Sequence, residues 1–390
     1  MKMKQRETYD LPVLKLLAFT LAGFITIMTE TVPAGLLPLI SKDLHVSTAL
    51  AGQMVSVYAF GSVISAIPII LYTRSWSRKK LFIFALILIL FFNTLTAISL
   101  SYEHILIYRF IAGVGAGVIW GILAGYARNI VKVSQQGKAM AVVGIGQPIA
   151  LCMGIPLGAW LGDIIGWRGV FLTLSILTTF LTIWVIISIP NLFGQKELHQ
   201  KPLKNTLSQR GIVPLLLIIF LWIFAHNLLY TFISSYLTSV HLNHQIDLIL
   251  LIFGVSSIIG IIITGKWIDQ YLRKLLLISL VVFIFSALIM GYFNNQIWLV
   301  ITGIILWGLA FGGAPTLLQT SMANLAGDHV DIAQSMLVTV FNLAVMGGAL
   351  MGGLILEKIG VYSFFNIMVE LSILSLLIIK FSKINTAGQV

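Results

Sequence analysis

Four ionisable residues lie within otherwise apolar stretches of this chain: Glu30, Arg109, His226 and Glu370. Placing such a group in hydrocarbon costs about 3 kcal/mol unless it faces a bundle interior or water, so each is a candidate for chemistry. Glu30 sits in Thr29-Glu30-Thr31-Val32-Pro33, between two hydroxyls and ahead of a helix-breaking proline. A carboxyl in a dry cavity can exist protonated and pass its proton on, which is the chemistry of proton coupling. A plain hydrogen bond to a neighbouring helix would use the same residue. Arg109 opens Arg109-x-x-x-Gly113-x-Gly115-x-Gly117. Its fixed charge requires a carboxylate, carbonyls or water, and the glycines let another helix approach. His226 and Tyr230 share a helix face, with Asn227 and Thr231 beside them. An imidazole titrates near neutral pH and a tyrosine offers a ring and a hydroxyl to a solute, although an interhelical hydrogen bond fits these residues equally. Glu370 is the weakest of the four, in a final stretch that is often peripheral.

Uncharged polar groups form a second layer: Tyr58, Asn93, Trp120, Gln147, Gln319 and Asn342 interrupt apolar runs. Each must be satisfied by a partner or water. A cavity for a polar or amphiphilic small molecule accounts for several together, while any one alone could join two helices. Gly265-x-x-x-Asp269-x-x-x-Arg273-Lys274 has the pattern of a gating clamp, an acid and a base one turn apart at a helix end. The lone Cys152 excludes an intramolecular disulfide, no metal spacing is present, and phosphate-cradling glycine motifs are absent. The expectation is a chain without cofactor.

The elements that must position these residues follow from composition. The chain is 58% hydrophobic and 9% charged, with a mean hydropathy of +1.01. Runs long enough to cross a bilayer number twelve: Leu14–Leu39, Ala51–Tyr72, Leu81–Leu100, Ile105–Ala127, Ala139–Leu161, Val170–Ile189, Val213–Val240, Leu248–Gly265, Leu275–Tyr292, Trp298–Ala323, Ile332–Leu356 and Tyr362–Phe381. The first is too long for a cleaved signal segment and reads as a retained helix. The fold class is all-α and integral to the membrane. Residues 1–190 and 213–390 each form a six-helix bundle, and 191–212 forms a polar linker. An even split of this kind suggests a duplicated unit. Twenty of the 24 lysines and arginines fall at the N-terminus or in every second gap after it, against Lys42, Arg168 and Lys358 in the intervening gaps. That bias places both termini and the linker in the cytoplasm. Basic loops facing anionic headgroups explain the net charge of +11 without nucleic acid.

Several of these segments resemble the twelve-span drug:proton antiporters of the major facilitator superfamily, in the flavour of sugar, arabinose and purine-ribonucleoside efflux proteins and chloramphenicol exporters. Thr29 to Pro38 with Ala51 to Ala59 is similar to the first two helices of that family, and Arg109 to Gly117 to its fourth-helix motif. Gly144-x-Gly146-x-Pro148 followed by Gly154 to Gly158 resembles its fifth-helix antiporter motif, with Gly166-Trp167-Arg168 as the turn after it. Trp307 to Gly312 and Ala333 to Asn342 recur at the matching helices of the second half. The likeness runs from about Thr20 to Gly360. Two departures stand out. Leu71 to Trp76 lacks the glycine and acid of the first gating motif, and Gln147 precedes the proline of the antiporter motif.

The resulting expectation is a secondary transporter in the inner (plasma) membrane, exporting a sugar, nucleoside or drug in exchange for protons by alternating access. Glu30 and Arg109 would couple protons. Tyr58, Asn93, Trp120, Gln147, His226, Asn227, Tyr230, Gln319 and Asn342 would line the cavity, and Gly265, Asp269 and Arg273 would gate it. The partners are a small-molecule substrate, protons and the bilayer, and the resemblance implies a monomer. An importer of a small polar solute would share the same fold and acid–base residues. A membrane enzyme would need paired acids, histidine clusters or loop domains, and Asp328, His329 and Asp331 form the one cytoplasmic acid cluster.

Overall fold

A backbone crossing hydrocarbon must satisfy its polar groups internally, so apolar runs of this length become helices. The computed structural model describes residues 11–66, 68–73, 76–132, 135–192, 203–327 and 330–382. Lys2, Lys4, Arg6, Arg74, Lys196, Lys201, Lys383, Asp328 and His329 lie outside the described residues, as does the middle of the linker. No strand occurs among the described residues.

Spans 1 to 4 are Val13–Leu44, Thr48–Ala66 (continued by Pro68–Tyr72), Arg78–Ile98 and Tyr102–Asn129. Span 5 starts with Gln136–Gly144 and continues into the helix Gly146–Ser188, which also contains span 6. Span 7 is Ile212–Thr231 followed by Ile233–Ser239, spans 8 and 9 share Ile246–Tyr292, and span 10 is Ile297–Gly312 followed by Ala314–Ala326. Spans 11 and 12 are Val330–Lys358 and Ser363–Phe381. Among the described residues ten helices are long and apolar enough to cross a membrane. The twelve crossings emerge because the two shared helices each reverse at a single residue, Gly166 (φ 71°, ψ 162°) and Tyr271 (φ −129°, ψ 25°). The connections expected at 162–169 and 266–274 are therefore helical almost throughout. Glycine suits the first reversal because its positive φ is strained for other residues.

Serine side chains cap several of the starts, Ser47 by accepting from the Leu50 amide. Ser77 accepts from the Lys80 amide and Ser101 from the His104 amide, each satisfying an orphan helix N–H. Outward-facing side chains such as Phe84, Phe91, Phe180, Ile187, Ile262 and Phe285 are exposed and apolar, as contact with lipid requires.

Glycines set the spacing within each half. A Cβ on Gly113 would lie 2.0 Å from Tyr58 O, and one on Gly117 would lie 2.1 Å from Ser65 Oγ and 2.4 Å from Ser62 O, so spans 2 and 4 touch backbone to backbone. A Cβ on Gly308 would lie 2.6 Å from Phe253 O and one on Gly312 would lie 2.1 Å from Ser257 O, which brings spans 8 and 10 together in the same way. Tyr58 and Phe253, Ser62 and Ser257, Gly113 and Gly308, and Gly117 and Gly312 are each 195 residues apart (308 − 113, for example). The two six-helix bundles are built on one plan.

The halves meet chiefly at the end away from the termini. Ser234 Oγ lies 3.5 Å from Ala34 O, Ser47 Oγ donates to Glu357 Oε1 at 2.6 Å, and Gly353 packs on Gln53 and Ala49. Phe232 sits where span 7 breaks, between Gly52 of the first half and Gly352 of the second.

Candidate functional site

Spans 1 to 4 converge on a buried polar cluster. Glu30 is 4% exposed, and Arg109, Tyr58 and Asn93 are 0% exposed. The Tyr58 hydroxyl donates to Thr26 O at 3.0 Å, and Asn93 Nδ2 donates to Thr29 Oγ1 at 3.1 Å. Arg109 Nε donates to Met54 O at 3.2 Å, and its guanidinium lies 4.5 Å from the Tyr58 ring centre and 5.4 Å from that of Phe171. These contacts hold the guanidinium by its aromatic faces as much as by hydrogen bonds. The charges of Glu30 and Arg109 are within electrostatic reach, yet no direct ion pair joins them. Glu30 Oε1, Asn93 Oδ1 and both Arg109 Nη atoms have no hydrogen-bond partner within the protein. Buried polar atoms of this kind are ordinarily paired, which marks the cluster as a candidate functional site.

The second half has Ile304 where the 195-residue repeat would place an equivalent of Arg109, and a cluster of rings lies close by. His226 lies 3.3 Å from Phe311 between ring centres, parallel to within 1°, and 4.7 Å from Tyr230. Trp307 Nε1 donates to His226 Nδ1 at 3.0 Å, and Phe253 packs 4.5 Å from Trp307. The Tyr230 hydroxyl crosses to the first half and donates to Leu151 O at 2.9 Å. Nearby, Gln319 Nε2 reaches Gln147 Oε1 at 3.4 Å, and Gln334 Nε2 donates to Gln319 O at 2.9 Å, linking spans 5, 10 and 11. A small cavity at this seam, lined by His226, Tyr230, Phe253, Ser257, Phe311 and Leu151, has about 10 Å³ of space for the centre of a water-sized sphere, room for about one water.

The sequence-predicted residues divide accordingly. Glu30, Tyr58, Asn93 and Arg109 come together, as do His226 and Tyr230, and Gln147 meets Gln319. Trp120 is partly buried against Gly23 of span 1. Asn227 and Asn342 donate to Ile223 O and Val338 O one turn back on their own helices, and Asn227 also packs against Gly348. The gating set is not assembled here. Gly265 and Asp269 are exposed, no hydrogen bond or ion pair holds Asp269 among the described residues, and Arg273 lies 3.5 Å from Ile379 O in its own half. Glu370 is exposed on the outside of span 12. Sequence reasoning passed over Thr26, Phe171 and Phe253, and noted Phe232 and Gln334 only within segments of family likeness. An isolated aromatic or threonine in an apolar run carries no signal until its partner is known. Trp307 and Phe311 lay in a segment noted for its family likeness alone.

A family model described as the Major Facilitator Superfamily matches residues 19–246 and 239–387. A protein of Helicobacter pylori strain J99 named "Probable sugar efflux transporter" is 24% identical over 361 residues, 92% of each chain. One of the same name from Helicobacter acinonychis strain Sheeba is 23% identical over 361 residues, again 92% of each. A crystal structure of the human organic anion transporter MFSD10 (TETRAN) matches 95% of this chain and all of that one with a TM-score of 0.71. At 14% identity this is a likeness of fold.

Proposed function

The chain belongs to the major facilitator superfamily and is a multi-pass membrane transporter of a small molecule, and we propose that it exports a sugar, or a nucleoside or drug of similar size, in exchange for protons. The observation that carries the proton part is the buried Glu30, Tyr58, Asn93 and Arg109 cluster with its unpaired oxygens and guanidinium nitrogens. The printed names of the Helicobacter relatives favour sugar and outward movement.

Halves 1–190 and 213–390, joined by 191–212, rock about the seam between them. Basic residues on the linker side assign that side and both termini to the cytoplasm of the inner (plasma) membrane, so the contacts of Phe232, Ser234 and Glu357 close the exterior end. With Glu30 charged, the cavity takes solute from inside. A proton arriving from outside neutralises the carboxylate, rearranges the cluster around Arg109 and releases the solute outwards. The Gly265, Asp269 and Arg273 group engages when the cytoplasmic end closes. The transporter acts as a monomer.

Transport in everted vesicles tests this reading. With an acidic interior imposed, arabinose, glucose, lactose or chloramphenicol should accumulate in vesicles carrying the protein, and a protonophore should abolish the accumulation. Export unaffected by the protonophore would overturn proton coupling. Accumulation only in right-side-out vesicles would favour the importer.

A further inference from the structure

His226 is held by a partner that can only donate. An indole N–H has no acceptor lone pair, so at 3.0 Å from Trp307 Nε1 the imidazole Nδ1 must accept, and the ring hydrogen sits on Nε2. Parallel stacking on Phe311 and the face of Tyr230 leave the ring no freedom to turn over. Among the described residues Nε2 makes no hydrogen bond, and the ring lines the cavity at the seam. Facing His226, span 7 offers Tyr230, span 8 offers Phe253 and Ser257, span 10 offers Trp307 and Phe311, and span 5 offers Leu151. None of these carries a charge, and Tyr230 is the one titratable group among them.

We propose that His226, locked by Trp307, is a fixed Nε2–H donor to an acceptor oxygen of a neutral hydroxylated ring, and does not carry a proton through the cycle. The cavity holds about one water, so the solute fits only when the halves part. Leu151 is the lining residue contributed by the first half, and its departure also removes the carbonyl that accepts from the Tyr230 hydroxyl. What remains is a wall of aromatic faces with one N–H and the hydroxyls of Tyr230 and Ser257. Such faces take the CH side of a pyranose or the plane of a base, while the N–H and hydroxyls take its oxygens. A cation would meet the same faces, but also an N–H pointing at it and no carboxylate. That the solute is cargo rests on the transport reading above; the tautomer and the donor do not.

The test uses full-length protein in lipid nanodiscs, labelled with ring-¹⁵N histidine. His226→Gln identifies the His226 signals among the seven histidines by their loss. They should report the neutral Nε2–H form from about pH 5.5 to 8, and Trp307→Phe should make them titrate in that window. Arabinose, glucose or lactose should shift the His226 signals and tetraphenylphosphonium should not. In everted vesicles His226→Leu should raise KM for the sugar that binds by about tenfold with little change in kcat, and His226→Gln, which keeps an N–H donor, should recover part of the loss. A charged or Nδ1–H ring in the wild type overturns the proposal, as does a response to tetraphenylphosphonium alone or to none of these probes. Gradient-driven sugar export undiminished by His226→Leu overturns the donor role and leaves the transport reading standing. Sugar-dependent shifts without gradient-driven export have the opposite meaning: the site stands and the transport reading falls.

Discussion

Replacing Gly52 with alanine puts a methyl group into the slot that Phe232 fills. A Cβ at Gly52 would lie 2.4 Å from Cε1 and Cζ of that ring, about 1 Å inside ordinary contact. The ring cannot simply retreat, because a Cβ position on Gly352 behind it is already only 2.8 Å away. Overpacking of this kind costs about 1–3 kcal/mol. Gly52 and Phe232 belong to different halves, so the penalty falls only on the conformation closed at their end. At about 1.4 kcal/mol per factor of ten, the closed-to-open ratio should fall roughly 5- to 150-fold. A closed form favoured about a hundredfold would then approach parity with the open one. The assay is the labelling rate of a cysteine introduced at Gln53, in a Cys152→Ser background, with an impermeant maleimide added from the exterior. Gly52→Ala should accelerate labelling. Gly113→Ala, whose Cβ would meet Tyr58 O inside the first half, strains both conformations and should lower Tm without that acceleration. A folded Gly52→Ala protein that labels at the parental rate would refute the slot as a gate.

Other outcomes follow from the same geometry. Glu30→Gln, a mimic of the protonated carboxyl, should abolish gradient-driven export while leaving solute binding or exchange in part. Wild-type export by that variant would move the proton site elsewhere. Arg109→Ala should lose transport and lower Tm, because its neighbours are then left unpaired in a dry site; full activity would remove it from the cycle. Cysteines at Lys201 and Gln296 should label from opposite sides of the membrane, and same-side labelling would overturn the topology. Asp269→Asn should move accessibility towards the inward-open form and slow transport if the clamp forms when the cytoplasmic end closes; unchanged accessibility would dismiss it.

Much of this molecule was legible in its sequence because the bilayer is a severe solvent. Glu30 and Arg109 announced themselves as charges in apolar runs, and the runs themselves gave twelve crossings. The single-residue reversals at Gly166 and Tyr271 were not readable in that detail, since hydropathy marks where the chain leaves hydrocarbon and not whether it stays helical there. The 195-residue repeat showed in the sequence only as the even split into two sets of six and a weak echo of Ser77 to Leu81 in Leu272 to Leu276, for a different reason. Its pairs, such as Gly117 and Gly312 or Ser62 and Ser257, are small residues common in any membrane helix, and they matter through backbone contacts that only the fold reveals. Phe232 depends on Gly52 and Gly352, and His226 depends on Trp307, 81 residues away. A side chain whose role is supplied by a distant partner leaves no local trace.

Arg168 is one of the few basic residues on the side that the charge bias assigns to the exterior. It pairs with Asp43 at 2.9 Å, donates to Ala97 O at 3.1 Å and stacks on Trp167, whose indole donates to the same carboxylate at 3.1 Å. Asp43 and Trp167 are 124 residues apart, so the acid leaves the ribosome long before the base that needs it. The hairpin of spans 5 and 6 thus carries one arginine and one acid, Asp163, in its connection, while the carboxylate that pairs with Arg168 comes from the end of span 1. The ion pair closes only when both segments have reached the same face of the membrane, and it ties the end of span 1 to the turn between spans 5 and 6.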